Sequence, residues 1–383
     1  MIPNILFLER PNYNRLITIL WGEEPDRVPF YEHFVDNEVI EYVLSVKLRG
    51  LNFSKREHRE LYIRSLIRFY KGLRYDYVPL EIALNIPLNP MVFTEDTARL
   101  SRGKRGWLRE HDGLIKTFED FENYPWPEVE EAADYDLMKL LCKLVPDEMG
   151  VVGGVGGGIF EHVVWIMGYT PLFRLMYRNR KLVEAMFYRV GKLITDVQKI
   201  LVEYDKLVAL RMGDDLGSKN GTFVSPAFLR EHVFPWYRVA TNTAHKHGKP
   251  FILHSCGNLK AVMEDIIETG IDAKHSFEDV IMPVTEAKKL YGDRISILGG
   301  VDVDKLARYP RHLFRDYVMK IIRECCPGGG YALGSGNTIT NYVDLGNYFE
   351  MLKLGVKYGQ YPKRGDVLSL IHISEPTRPR LIS

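Results

Sequence analysis

Several features that would place the chain in a broad class are scarce or missing. Its 383 residues include only four cysteines, too few for a disulfide framework at this size, so we expect the reducing cytoplasm as its location. Lysine and arginine number 51 against 50 aspartates and glutamates, a balance that lacks the electrostatic signature of nucleic-acid binding. No apolar run reaches the roughly 18 residues of a membrane span, and the N-terminal stretch lacks a signal peptide's basic region. We therefore expect a soluble globular enzyme without a nucleic-acid or membrane partner.

Two nucleotide-binding motifs are also missing. No Gly-x-Gly-x-x-Gly segment follows the first strand-like run, which disfavours an open dinucleotide-binding sheet. The glycine-rich run 151–158 lacks the Lys-Ser/Thr of a phosphate-binding loop. Its glycines more simply indicate close approach of the backbone to a ligand or a neighbouring strand.

Apolar, β-rich runs recur along the chain, each followed by a helical pattern. The eight runs are 27–33, 75–82, 150–157, 207–214, 249–256, 271–278, 294–301 and 330–337. Continuous apolar runs of this length are typical of strands buried on both faces of a parallel sheet. Eight strands with helical crossovers predict an α/β fold, a (β/α)₈ TIM barrel.

The helix signals between these runs agree with that fold. Ser225-Pro226 predicts a helix start, because serine caps a helix and proline suits its first turn, and Pro235 predicts a break soon after it. Further helices are predicted over 259–269, 283–291, 310–324 and 343–358.

Residues 85–149 are too many for a plain crossover, so we interpret them as an insertion after the second strand. His111-Asp112-Gly113 predicts a hairpin turn between arms at 107–110 and 114–117. Residues 1–362 are then one barrel domain. Residues 363–383 fit no barrel period and are interpreted as an irregular, non-native tail to which we assign no function.

Chemically active side chains follow the predicted strands, at the barrel end where active sites of this fold lie. Any one of them could be a structural polar group. We predict catalytic roles for Asp214, Asp215, Glu81 and His275. We predict substrate contacts for Glu32, His33, Asn220, Glu278, Asp302, Ser335 and Asn337. Asp214 and Asp215 face opposite sides of a strand, so only one is expected to point into the site, and the alternative for that acid is to brace the following loop.

His254 and Cys256 are the strongest metal-ligand candidates. They are two residues apart in a strand, so both side chains point to the same side, and both are good zinc ligands. A catalytic zinc site needs a third protein ligand, and the sequence leaves it open. The candidates are His275, Glu278, Asp302, Asp215 and Glu81. A hydrogen-bonded pair without metal is the alternative, and Cys325-Cys326 precedes the last strand and so lies at the opposite end of the barrel.

Over about 26–362 the chain resembles the uroporphyrinogen decarboxylase superfamily. The resemblance is carried by Arg27-Val28-Pro29, Tyr75-Asp76-Tyr77-Val78, Trp107, Tyr124-Pro125-Trp126-Pro127, Gly213-Asp214-Asp215-Leu216-Gly217, His254-Ser255-Cys256-Gly257-Asn258, Gly299-Gly300-Val301-Asp302 and Gly334-Ser335-Gly336-Asn337. It implies a barrel with a deep cleft that serves either cofactor-free tetrapyrrole decarboxylases or zinc-dependent methyltransferases working with a corrinoid protein.

The chain departs from both types. Residues 31–36 lack the arginine with which the decarboxylase type grips carboxylates, and Lys219 and Lys274 are the only lysines near the strand tips. The methyltransferase type has the His-x-Cys found here, but Ser335-Gly336-Asn337 stands where its second cysteine belongs. We favour methyl transfer linked to a corrinoid protein, with a zinc-activated acceptor. The alternatives are uroporphyrinogen decarboxylation without a cofactor and a non-catalytic ligand-binding barrel.

Overall fold

The computed structural model describes residues 10–109 and 111–361. Its strands are β1 (Tyr77–Ile82), β2 (Met91–Glu95), β3 (Lys104–Leu108), β4 (Gly150–Val155), β5 (Leu207–Gly213), β6 (Gly217–Ser218), β7 (Gly221–Thr222), β8 (Phe251–His254), β9 (Ala273–His275), β10 (Ser296–Leu298) and β11 (Tyr331–Ala332). Seven of them form one parallel sheet in the order β1-β4-β5-β8-β9-β10-β11. Each of these seven lies within one of the predicted apolar runs, and the sheet curls as in a TIM-barrel-like fold.

The helices surround this sheet. They are α1 (Tyr13–Leu20), α2 (Asn37–Leu44), α3 (Arg56–Gly72), α4 (Phe118–Asn123), α5 (Tyr135–Leu144), α6 (Ile159–Met167), α7 (Tyr169–Arg178), α8 (Arg180–Leu201), α9 (Pro226–His232), α10 (Phe234–Lys246), α11 (Met263–Glu268), α12 (Val284–Tyr291), α13 (Val303–Arg308), α14 (Arg311–Cys325) and α15 (Leu345–Tyr358). Ser225 caps α9 by accepting from the N–H of Phe228, and Pro235 stands at the start of α10, so the predicted start and break are confirmed. Within the described residues, no helix has the length and apolar character that a bilayer crossing requires.

The first predicted strand, 27–33, is not formed as a strand. Its Phe30 makes a single parallel bridge to Leu333 next to β11. On its other side the Tyr77 hydroxyl donates to the Glu32 carbonyl over 2.7 Å and accepts from the Glu32 N–H over 2.9 Å. Pro29 has no N–H to give to a ladder, which explains why pairing is so short. The described residues therefore contain a seven-stranded sheet where eight strands were expected.

The glycine-rich run 151–158 lets backbones approach each other. A Cβ atom at Gly154 would lie 1.9 Å from the carbonyl oxygen of Arg211 on the neighbouring β5, and one at Gly153 would lie 2.5 Å from that of Leu80 on β1. Any larger residue would push β4 away from both neighbours. The close-approach interpretation is confirmed.

The insertion contains a hairpin, but its predicted arms are wrong. β2 pairs antiparallel with β3, so Trp107 and Leu108 lie in the second arm, and 114–117 forms no strand. Thr117 instead caps α4 in a capping box with Asp120. His111-Asp112-Gly113 follows the hairpin rather than turning it, and Glu110 lies outside the described residues, as do 363–383.

Candidate metal and substrate site

The candidate site lies at the carboxyl ends of β5, β8 and β9. Parallel pairing places Gly213 beside His254 and His254 beside His275, so the residues that follow each strand meet at one edge. The chain leaves β8 into Ser255 and Cys256 and leaves β9 into Ser276. The buried ends of neighbouring parallel strands thus gather the imidazoles and the thiol.

Asp215, His254 and Cys256 form a group of three potential metal ligands. His254 Nε2 lies 3.5 Å from Cys256 Sγ and 3.9 Å from Asp215 Oδ1. The three donor atoms all lie within 4.8 Å of one another. The Cys256 N–H also donates to Asp215 Oδ1 over 2.8 Å, which holds the carboxylate beside the thiol. Of the five third-ligand candidates, Asp215 is the one that shares a donor group with both His254 and Cys256.

The Cys256 thiol sits among polar neighbours in a largely buried position. Its Sγ lies 3.3 Å from Ser276 Oγ and accepts a hydrogen bond from Asn337 Nδ2 over 3.2 Å. Burial, with the nearby Asp215 carboxylate, raises the pKa of the thiol to about 12. The group is therefore a thiol at neutral pH unless a cation binds it.

Ser276 holds an unusual backbone conformation beside this thiol. Its φ is 84°, in the left-handed region that side chains other than glycine rarely adopt. The buried Lys274 ammonium donates to the carbonyls of Ser276, Ser255 and His275 over 2.8, 3.2 and 3.3 Å. Burial lowers the pKa of Lys274 to about 8. These three bonds tie the segments after β8 and β9 together and hold the strained residue in place.

Three imidazoles stack at the centre of the site. The rings of His33 and His254 are parallel, with centroids 3.8 Å apart, and His254 Nδ1 lies 2.7 Å from His275 Nδ1. These three form a second group whose donor atoms lie within 4.8 Å of one another. Burial lowers the pKa of His275 to about 3 and puts those of His33 and His254 well below their usual value, so all three rings are neutral. The 2.7 Å separation is that of a hydrogen bond, shorter than the roughly 3.3 Å between two nitrogens on one tetrahedral zinc.

Glu32 is fully buried against Ser335. Its Oε1 accepts from the Ser335 N–H over 2.9 Å, and its Oε2 meets the Ser335 hydroxyl. Burial raises the pKa of Glu32 to about 8, although both Ser335 contacts oppose that shift. The Ser335 hydroxyl also lies 3.0 Å from the Asn337 carbonyl, to which it can donate.

The two adjacent aspartates follow the end of β5 and make different contacts. Asp214 is fully buried and accepts from the N–H groups of Ile159, Phe160 and Glu161 at the start of α6. It also accepts from the Tyr237 hydroxyl over 2.8 Å, and burial raises its pKa to about 6. Asp214 therefore braces the start of α6 and Asp215 faces the thiol, and the catalytic roles expected of both stay predictions.

Glu81 is likewise engaged inside the fold. Its Oε1 lies 2.8 Å from Nε of the buried Arg211. Arg211 also donates to the His33 carbonyl over 2.6 Å and stacks over the Phe34 ring at 4.3 Å. The sequence reasoning did not identify Arg211, although a charge inside an otherwise apolar strand run was a visible signal. The catalytic role expected of Glu81 stays a prediction.

The remaining predicted residues lie around the mouth of the site. A cavity of about 560 Å³ is bordered by Asn337, Glu278, Asp302, Lys219, Lys305 and Tyr342. Asp302 caps α13 by accepting from the Lys305 N–H and also accepts from the Asp279 N–H, so its oxygens serve the fold. Asn220 is exposed at the turn between β6 and β7, away from the buried donors. Glu161 was not predicted, and burial together with Asp215 and Asp214 raises its pKa.

Comparison with known proteins gives the fold and the family. No curated protein matches the chain. A solved structure described as a methyltransferase from Methanosarcina mazei superposes with a TM-score of 0.66 over 91% of this chain and 99% of that one, at 17% sequence identity. Identity that low supports a shared fold. The family model for uroporphyrinogen decarboxylase (URO-D) matches residues 12–358, nearly the whole chain. The chain therefore belongs to the uroporphyrinogen decarboxylase family.

Proposed function

We propose that the chain is a methyltransferase whose acceptor is activated by zinc bound to Asp215, His254 and Cys256. The observation that carries this proposal is the 3.5 Å separation of His254 Nε2 and Cys256 Sγ. Zinc bonds of about 2.0 Å to nitrogen and about 2.3 Å to sulfur, at a tetrahedral angle, require a separation of roughly 3.5 Å. The 3.9 Å from His254 Nε2 to Asp215 Oδ1 exceeds the corresponding value by only about 0.5 Å. Imidazole, thiolate and carboxylate together are a donor set that suits zinc.

Three protein ligands leave one tetrahedral position for the acceptor. Zinc held by the three ligands would lower the pKa of a thiol or hydroxyl acceptor in that fourth position and so supply a nucleophile at neutral pH. The protein's own groups prepare the ligands: the Asn337 amide donates to Cys256 Sγ, and the Cys256 N–H fixes the Asp215 carboxylate. Cys256 must give up its proton on binding the metal, so metal affinity should rise with pH.

The cavity beside Asn337 is the proposed entry for the acceptor. Its volume of about 560 Å³ is of the size that small-molecule sites have, and the charged side chains in its lining, among them Glu278 and Lys305, suit a small polar ligand. The methyl group must come from a donor outside the chain. The family resemblance implies a corrinoid protein for that role, and the proposal includes it as the partner.

Decarboxylation of a tetrapyrrole is less well supported by the charges of the site. A substrate with many carboxylates needs free cationic partners. Arg211 and Lys274, which are buried, are both engaged, Arg211 with Glu81 and the His33 carbonyl and Lys274 with three carbonyls, whereas Lys219 and Lys305 border the cavity. A non-catalytic barrel remains the other alternative.

Zinc binding by variants of the purified protein tests the proposal. After treatment with a chelator, the wild type should take up about one zinc per chain. Cys256→Ala and Asp215→Asn should each weaken zinc binding at least tenfold, because each removes a ligand. Cys142→Ala is the matched control, since Cys142 lies on α5, outside the donor group. Zinc content by elemental analysis and affinity by competition with a chromophoric chelator give both values.

Two results would count against the proposal. The proposed metal site would be refuted if the wild type takes up no zinc. It would also be refuted if Cys256→Ala binds zinc as tightly as Cys142→Ala does. Metal-free turnover of uroporphyrinogen by the wild type would favour the decarboxylase instead.

A further inference from the structure

A chain of polar contacts runs behind the proposed ligand His254. Its Nδ1 lies 2.7 Å from Nδ1 of His275, whose Nε2 lies 3.1 Å from the carbonyl oxygen of Ser335. His254 then faces Cys256 and Asp215 with its other nitrogen. Two imidazoles therefore connect a backbone carbonyl to the donor group.

The Ser335 carbonyl at one end fixes the direction of each hydrogen bond in this series of contacts. A carbonyl oxygen only accepts, so Nε2 of His275 must carry a proton. His275 is fully buried and contacts a ring nitrogen and a carbonyl, surroundings that keep it neutral, so its Nδ1 has no proton and accepts. The proton shared over 2.7 Å must then belong to Nδ1 of His254. A neutral His254 protonated at Nδ1 has a free lone pair on Nε2.

We propose that His275 and the Ser335 carbonyl are positioning groups that hold His254 in the Nδ1–H tautomer, with Nε2 unprotonated toward Cys256 and Asp215. An imidazole binds a metal only through an unprotonated nitrogen, so this tautomer is the one the site needs. The tautomer of His254 is inferred from these contacts, whereas the role of its Nε2 as a metal ligand rests on the proposed function.

The surroundings keep this arrangement in one geometry. Glu32 clamps Ser335 by accepting its N–H, which aims the Ser335 carbonyl at His275. The Tyr31 ring packs against His275 with centroids 5.2 Å apart, and His33 stacks on His254 at 3.8 Å. Both imidazole rings are thus held in plane as well as hydrogen-bonded.

Nitrogen NMR of the metal-free protein tests the tautomer directly. Two-bond ¹⁵N–¹H correlations of histidine-labelled protein distinguish Nδ1–H from Nε2–H rings, and the His254→Gln spectrum identifies the His254 signals. We expect Nδ1–H for His254 and Nε2–H for His275 in the wild type. His275→Asn places an amide oxygen near the position of Nδ1 and should preserve the His254 tautomer. His275→Phe removes the acceptor and should shift His254 toward Nε2–H.

Zinc titration of the same samples separates this inference from the proposed function. His275→Phe should weaken zinc binding by roughly 10–100-fold, as loss of a group supporting a ligand does, and His275→Asn should restore most of it. An Nε2–H tautomer of His254 in the wild type would overturn the inference, whether or not zinc binds. The wild-type measurement needs no variant, so a misfolded His275→Phe does not weaken it. The expected tautomers in a protein without zinc affinity would support the inference and refute the proposed metal site.

Discussion

The charge of the buried Glu32 carboxyl is linked to the direction of its hydrogen bond with the Ser335 hydroxyl. The Ser335 hydroxyl has one proton and can donate to either Glu32 Oε2 or the Asn337 carbonyl. If the proton points to the Asn337 carbonyl, Glu32 must itself donate to the hydroxyl and hence be protonated. The pKa of about 8 that burial gives Glu32 agrees with a neutral acid at pH 7.

This protonation predicts a pH dependence of stability. The pKa of Glu32 rises from 4.5 to about 8 on folding, so the folded protein holds a proton that the unfolded chain has lost between those values. The stabilisation from Glu32 is then complete below about pH 4.5, declines as the pH rises and is gone above about pH 8. Glu32→Gln keeps the shape without titrating. Relative to that variant, the wild type should lose about 1 kcal/mol of unfolding free energy per pH unit between pH 5.5 and 7.5.

Urea denaturation at several pH values measures this slope. Glu57→Gln, a change on the exposed start of α3, is the control and should follow the wild type. If Glu32→Gln and the wild type run parallel across the whole range, Glu32 is ionised in the folded protein and this assignment is wrong.

At the same scale, the sequence predicted some residues of the candidate site and missed others for a physical reason. His254 and Cys256 could be paired because alternation along a strand is local information. The partners of Asp214, Asp215 and Glu81 depend on which strands are neighbours in the sheet, and the local sequence does not determine that. Arg211 and Ser276 were missed because an ion pair across strands and a left-handed φ have no dependable local signature.

Among the elements, α6 depends most directly on a site residue. Its first turn presents three backbone N–H groups to the buried Asp214 carboxylate, and Gly158 before it admits that carboxylate closely. A negative charge at a helix N-terminus is favourable both as a cap and against the helix dipole. The start of α6 is therefore anchored to the end of β5.

Two neighbouring substitutions should separate stability from metal binding. Asp214→Ala leaves buried N–H groups without an acceptor and should cost about 3 kcal/mol of unfolding free energy. Asp215→Asn, at a partly exposed carboxylate, should change stability by less than about 1 kcal/mol while it weakens zinc binding. Chemical denaturation and zinc competition on both variants measure the contrast. Equal stability losses would mean that the division of roles between the two aspartates is incorrect.

The elements were more predictable than their ends. Seven of the eight apolar runs contain a strand of the sheet because continuous burial leaves a strong local pattern. The run 27–33 did not form a strand. Pro29 has no N–H for the ladder, and the Tyr77 hydroxyl occupies the backbone groups of Glu32 that a neighbouring strand would bind. The predicted hairpin arms differ from the observed ones because short strands that are largely exposed to solvent, such as β2, have little hydrophobic pattern. That residues 1–362 form one domain stays a prediction.

For the whole molecule, the notable feature is a charged pair inside the sheet's curled interior. Arg211 and Glu81 are both almost completely buried, and Arg211 spans from β5 toward the His33 carbonyl. The pair therefore joins β1, β5 and the segment that closes the sheet beside β11. Removing two charges from water is costly, so a buried pair adds little to net stability compared with apolar residues of similar volume.

Removing one partner should be worse than removing both. Arg211→Met alone leaves the Glu81 carboxyl buried without its cation and should cost about 3–5 kcal/mol of unfolding free energy. Glu81→Leu alone should cost a similar amount. The double variant should lose less unfolding free energy than either single variant, a coupling that a double-mutant cycle by denaturation measures. Strictly additive losses would show that the two groups do not interact in the folded protein.

The left-handed backbone conformation of Ser276 carries a cost in stability that a glycine would avoid. A residue with a side chain at φ 84° costs the fold on the order of 1 kcal/mol, and glycine would remove that cost. Selection for stability alone would favour glycine at this position. The serine places its hydroxyl 3.3 Å from the Cys256 thiol, which glycine would not. Ser276 therefore lowers stability by on the order of 1 kcal/mol at a position where its hydroxyl contacts the Cys256 thiol.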